Sequence, residues 1–142
     1  MKNGENSTLS DHNVVKFMFQ EVISEIRGEH DLNPESIKTL QLICGNILCP
    51  ALDLVDKNAI WKVKSCQGRS VFQIRSEHEQ YTCLKREIYC HCRGFSDAVI
   101  NKRTSFLCKH LLAVFVACAL DKVQVEVREP EFVEKLLQFS IT

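Results

Sequence analysis

The sequence predicts an α+β protein: N-terminal helices, a small antiparallel sheet, a metal-binding finger and C-terminal helices. Three observations carry this. Apolar residues recur at helical spacing in the first 56 residues and again after residue 107, and they alternate with polar ones between Ile60 and Tyr89. Two close pairs, Cys90-X-Cys92 and Cys108-X-His110, bracket the junction where the strand pattern gives way to the last helices.

Residues 1 to 9, rich in Asn, Ser, Gly and Lys, read as a flexible tail. An N-terminal helical part follows, residues 10 to 56. Its first helix is expected over Asp11 to Arg27, with Ser10 as N-cap and Gly28 as terminator; Val14, Val15, Phe17, Met18, Val22, Ile23 and Ile26 form its apolar stripe. The second has Asn33 as cap, Pro34 at its first position and Gly45 past its end. Pro50 then opens a short helix, Ala51 to Asp56.

Residues 57 to 120 form the finger module. Ile60–Cys66 and Val71–Ser76 read as strands joined across Gln67-Gly68-Arg69, with shorter strands at Tyr81 to Leu84 and Glu87 to Tyr89. An irregular or partly helical stretch, Arg93 to Phe106, leads into an apolar helix from about Cys108 to Leu120. That helix is apolar nearly all round, so it occupies either the centre of the domain or an interface. Residues 121 to 142 end in an amphipathic helix, Glu131 to Phe139, with Phe132, Leu136 and Phe139 offering a second surface for a partner.

At 142 residues, 45% apolar and 25% charged, the chain fits one globular domain. No apolar segment follows a basic start at the N-terminus, and the longest apolar run, Leu111 to Leu120, is half the length a membrane span needs. The expectation is a soluble intracellular protein with no membrane partner. In a reducing compartment, eight cysteines point to metal binding or buried thiols rather than disulfides. Formal net charge is zero, yet 11 Lys and Arg face only 4 Asp and Glu between Lys57 and His110. A basic middle flanked by acidic ends marks either a nucleic-acid surface or segments that neutralise one another in the fold.

Cys90, Cys92, Cys108 and His110 supply three sulfurs and one nitrogen, the donor set of a tetrahedral Zn2+. On an extended strand Cys90 and Cys92 share a face and His91 points away. Residues two apart inside a helix point about 200° apart, so Cys108 must sit at or before the helix start, with His110 in the first turn. There the helix N-terminus also favours a thiolate. Four protein ligands leave no position for substrate, which makes one structural zinc the expected cofactor. A Cys108–His110 nucleophilic pair is the competing reading, and it gives Cys90 and Cys92 no role. Arg93, Arg103 and Lys109 are placed to offset the site's negative charge. Cys83 is the best substitute ligand; Cys44, Cys49, Cys66 and Cys118 read as ordinary thiols, and His12, His30 and His78 as surface residues.

Cys-X-Cys, a loop, then Cys-X-His, preceded by short strands and followed by an apolar helix, resembles the SWIM zinc-finger family. Phe95, three residues after Cys92, fits it; Arg93 stands where many members have proline. Residues 51–56 (ALDLVD), 68–73 (GRSVFQ), 81–84 (YTCL) and 107–114 (LCKHLLAV) resemble, more narrowly, the small SWIM subunits of Shu complexes. The resemblance covers about residues 48 to 116. It implies a non-catalytic nuclear subunit for homologous recombination repair of DNA damage. Such a subunit forms a heterodimer with a RecA-fold recombinase paralogue and helps a RecA-type recombinase assemble or persist on single-stranded DNA. It implies as well that the zinc ligands support the partner interaction.

The alternative is an autonomous DNA-binding module. Lys62, Lys64, Arg69, Arg75, Lys85, Arg86, Lys102 and Arg103 would contact phosphates, and Trp61, Phe72 and Tyr81 would offer stacking faces. Zero net charge argues against strong binding by this chain alone, and a heterodimer that completes the basic groove reconciles the two. The sequence shows no phosphate-binding Gly-rich loop and no open metal site.

Overall fold

The computed structural model describes the backbone of residues 3–103 and 105–141, and the side chains of residues 13–103 and 105–138. In chain order it forms α1 (Asn3–Ile26), α2 (Pro34–Cys44), α3 (Leu48–Asp56), β1 (Ile60–Lys64), β2 (Ser70–Arg75), β3 (Gln80–Leu84) and β4 (Tyr89–Cys90). A π-helical turn, Phe95–Asn101, leads to α4 (Lys109–Ala119), β5 (Gln124–Val127) and α5 (Pro130–Ile141). The α+β expectation holds.

Helix α1 begins at Asn3 rather than Asp11, so the backbone of residues 3 to 9 continues a helix. No proline lies there to stop it. Residues 1 and 2 of the expected tail lie outside the described residues, as do the side chains of Ser10, His12 and Phe139. The expected stripe of α1 divides in two. Val22, Ile23 and Ile26 are buried, together with Phe19, which the expected stripe did not include, whereas Val14, Phe17 and Met18 stand in solvent. Helix α2 follows its punctuation: the side-chain oxygen of Asn33 accepts the Ser36 N–H at 2.8 Å, and Gly45 ends the helix with φ +65°. A 3-10 turn, Gly45–Ile47, then brings α3 in at Leu48, before Pro50. Residues 34–56 form a 23-residue stretch apolar enough to cross a membrane by composition. The chain breaks at Gly45, however, and Leu40, Leu48, Ala51 and Val55 are core residues of this domain.

The sheet order is β4-β3-β2-β1-β5. The first four strands are antiparallel, as expected, but β5 pairs with β1 in parallel, with Lys62 beside Val125 and Lys64 beside Val127. After α4 the chain returns to the free edge of β1 and extends the sheet there. Strand β4 is Tyr89–Cys90 rather than Glu87–Tyr89, because Ile88 takes a left-handed turn conformation, φ +54°.

Alternation gives the sheet two apolar faces. Ile60, Ile74, Cys83 and Cys90 face the main core, built with α1 to α4. Val63 and Val71 face the other way and meet Val133 of α5, with Leu84, Phe132, Leu136 and Leu137 around them. Helix α4 lies between α3, α1 and the sheet. Its Leu111, Leu112, Ala113, Val114, Val116 and Ala117 are fully buried, so the helix that is apolar all round takes the central position.

Candidate metal centre

Strand β4 delivers Cys90 at its end, and Cys92 follows on the same side, as the extended geometry requires. Their partners come from the start of α4. Cys108 is the residue before the helix, with φ −95° and ψ 172°, and His110 lies in the first turn. This extended backbone turns the Cys108 side chain to the His110 side, where two positions inside a helix would diverge.

The ligand atoms of Cys90, Cys92, Cys108 and His110 all lie within 4.8 Å of one another, and all four residues are buried. Cys90 Sγ lies 3.8 Å from His110 Nδ1. A tetrahedral zinc with Zn–S bonds of about 2.3 Å sets its ligand atoms roughly 3.8 Å apart, so cluster size and donor type both fit zinc.

The surroundings are arranged for sulfur anions. The Phe95 N–H donates to Cys92 Sγ at 3.3 Å, and the Leu111 N–H, in the first turn of α4, points at Cys108 Sγ at 3.5 Å. The latter is a sulfur version of a helix cap. A Cβ on Gly94 would stand 3.8 Å from Cys92 Sγ, so the loop backbone runs close beside the sulfur. Among the thiols, hydrogen bonds from Cys108 and Cys90 hold Cys92 far below the usual thiol range. Those same contacts, with Cys90 first and then Cys92 and burial, push Cys108 up. For Cys90 the Cys108 contact works downward, but contacts with Cys83 and Cys92 and burial outweigh it. The three sulfurs thus hydrogen-bond one another with Cys92 as the acceptor, and a divalent cation bound there would take the place of their protons.

His110 Nε2 lies 3.3 Å from a carboxylate oxygen of Glu79, and Lys109 Nζ lies 3.8 Å from the other. Glu79 thereby fixes the tautomer that leaves Nδ1 free to bind, the carboxylate–histidine arrangement common behind zinc ligands. The Tyr81 ring lies against the His110 ring, centroids 4.5 Å apart. Sequence spacing gave no signal for Glu79 or Tyr81 here, since both act on His110, 31 and 29 residues further along the chain. Arg93 and Lys109 line the site's cavity, whereas Arg103 does not. Cys83 is buried beside Cys90 through the β3–β4 register but is not one of the four clustered donors. His91 Nδ1 turns away, 3.3 Å from both the Thr82 N–H and the Thr82 carbonyl oxygen. His30 and His78 are exposed.

The expected DNA-contact residues do not form one surface. Trp61 and Arg75 lie on the α5 side of the sheet, with the Arg75 guanidinium 4.7 Å over the Trp61 ring and paired with Glu126. Tyr81 belongs to the metal centre. Lys62, Arg69, Phe72, Lys85 and Arg86 do come together, along one groove.

A Cys-X-Cys at a strand end and a Cys-X-His at a helix start, closing on one buried cluster, define a SWIM-type zinc finger. Comparisons with known proteins agree. The chain is 33% identical over 127 residues to Zinc finger SWIM domain-containing protein 7 of Mus musculus, covering 88% of this chain and 84% of that one. It is 36% identical to the Homo sapiens protein of that name, covering 73% and 75%. It is also 36% identical to the Danio rerio one, covering 75% of each. No protein-family model matches the chain, and no solved structure does. The chain belongs to the Zinc finger SWIM domain-containing protein 7 family, and its cofactor is one structural zinc ion.

Proposed function

We propose that Cys90, Cys92, Cys108 and His110 are the four zinc ligands, and that the finger they close makes this chain a non-catalytic interaction subunit of a Shu-type complex. In that reading it pairs in the nucleus with a RecA-fold recombinase paralogue. Together they promote assembly or stability of a RecA-type recombinase on single-stranded DNA during homologous recombination repair. The observation that carries the non-catalytic part is the donor set: three sulfurs and one imidazole, all buried, fill a tetrahedron from the protein alone. When bound, the zinc joins the end of the sheet to the start of the central helix. The complex and its DNA setting rest on the resemblance of residues 48 to 116 to small SWIM subunits.

An apolar stripe on α1 supports a partner. Val14, Phe17 and Met18 are 52%, 61% and 40% exposed at i, i+3 and i+4, a spacing that presents one continuous face. A helix face of this kind is what another folded subunit covers.

Tagged full-length chain recovered from cells, analysed for zinc and for co-purifying proteins by mass spectrometry, tests the reading. The wild type is expected to carry one zinc and a RecA-fold protein. Cys90→Ser and His110→Ala lose both, whereas Phe17→Asp keeps the zinc and loses the partner. Full zinc content in the first two variants would remove the ligand assignment. A partner set with no RecA-fold protein would remove the complex.

A further inference from the structure

A groove of about 780 Å³ opens between β2, the turn joining β3 to β4, and the flanks of α1 and α4. Lys62, Arg69, Lys85 and Arg86 line it, against one carboxylate, Glu87. Arg69 is paired with Glu134 of α5, but among the described residues no carboxylate pairs with Lys62, Lys85 or Arg86. Three cations therefore face the groove without a neutralising partner.

Two of them lie over aromatic rings. Lys62 and Phe72 are cross-strand neighbours in the β1–β2 register, and Lys62 Nζ stands 6.0 Å from the Phe72 ring centroid. Lys85 Nζ stands 5.5 Å from that of Phe115 on α4. Both rings are half-buried, so each keeps part of its surface toward the groove. An adjoining pocket of about 260 Å³ shares Lys85 and Phe115 and adds Lys16 and Arg27, which extends the basic track along α1.

Unneutralised cations beside ring surfaces in one groove match a flexible polyanion that carries flat apolar groups. We propose that this groove binds single-stranded DNA directly, with phosphates on Lys62, Lys85 and Arg86 and bases against Phe72 and Phe115. Duplex DNA is excluded because its bases are stacked inside and cannot reach rings set within a groove. The inference deepens the proposed function and rests on it for its setting. An acidic protein segment would satisfy the cations but would make no use of the rings.

The test is fluorescence anisotropy of a labelled oligothymidylate with zinc-loaded full-length chain across a salt series. The triple variant Lys62→Gln/Lys85→Gln/Arg86→Gln is expected to bind at least about 10-fold more weakly. Its plot of log affinity against log salt should be shallower by about 2, since each lost phosphate contact on a single strand removes roughly 0.7 from that slope. Phe115→Leu is expected to weaken binding without changing the slope, because stacking releases no counterions. Lys122→Gln, a cation paired with Asp31, serves as the charge control and is expected to bind as wild type. Zinc content and thermal melting establish that each variant is folded. The groove assignment is overturned if the triple variant binds as wild type or if Lys122→Gln weakens binding as much. Tighter binding of a duplex of equal length, or displacement of the oligonucleotide by polyglutamate at equal charge concentration, also overturns it. Partner recovery reads the wider proposal separately. A triple variant that loses DNA but keeps its RecA-fold partner supports both, and a wild type that binds DNA through these residues without such a partner leaves the groove standing and removes the complex.

Discussion

His110 has both ring nitrogens engaged: Nδ1 faces the sulfurs and Nε2 faces Glu79. This separates binding a metal from orienting the ligand that binds it. Glu79 is 39% exposed and touches no sulfur, so its removal leaves the donor set intact. Glu79→Gln is therefore expected to keep the fold and the zinc stoichiometry but to lower zinc affinity about 10- to 100-fold. Competition with a chromogenic chelator measures this, and an unchanged affinity would show that the carboxylate is incidental. The thiols outside the cluster divide by exposure. Burial pushes the Cys44 thiol up to about 12, and it also raises Cys118. Cys49 and Cys66 are exposed. Brief alkylation of the native zinc-loaded protein near neutral pH is expected to label Cys49 and Cys66 and to spare Cys44 and Cys118, as peptide mass mapping would show.

At the scale of elements, the readable features were those whose signal is local. Asn33, Pro34 and Gly45 mark α2 by capping chemistry, and the structure uses Asn33 as the cap and Gly45 at a positive φ. Asn33→Ala is accordingly expected to cost about 1 kcal/mol in chemical denaturation, the ordinary value of an N-cap. The placement of Cys108 before α4 and His110 in its first turn was also legible, because helical geometry permits no other way for two residues so spaced to share a side. Helix α1 was legible as a helix but not in its orientation. Two runs at helical spacing, Val14-Phe17-Met18 and Phe19-Val22-Ile23-Ile26, compete for the core, and only packing decides that the second is buried. Strand β5, Gln124–Val127, carries a local signal that the expectation of a C-terminal helix passed over: Val123, Val125 and Val127 alternate with Gln124 and Glu126, although Val125 and Val127 are the exposed residues. Its parallel pairing depends on where α4 returns the chain. Glu79 was illegible because its partner lies 31 residues away.

The whole molecule is held from two sides of one sheet. On one side α4 is buried among α1, α3 and the strands; on the other the smaller Val63-Val71-Val133 cluster docks α5. Leu112, fully buried on α4, is part of the larger core, so Leu112→Ala is expected to cost about 2–5 kcal/mol through lost packing alone. The metal centre joins that core at its edge, where Cys90, Cys92 and Cys108 are themselves core residues. Removing zinc should therefore lower the melting temperature of the whole domain in one transition rather than melt a separate finger. The join between sheet and central helix requires that three sulfurs and one imidazole hold a single ion. Zinc-edge X-ray absorption on the purified full-length protein tests it most directly. The wild type is expected to show a four-coordinate shell of three sulfurs near about 2.3 Å and one nitrogen near about 2.0 Å, reduced by one sulfur or emptied in Cys90→Ser. A wild-type shell containing oxygen, or one identical in wild type and Cys90→Ser, would contradict it.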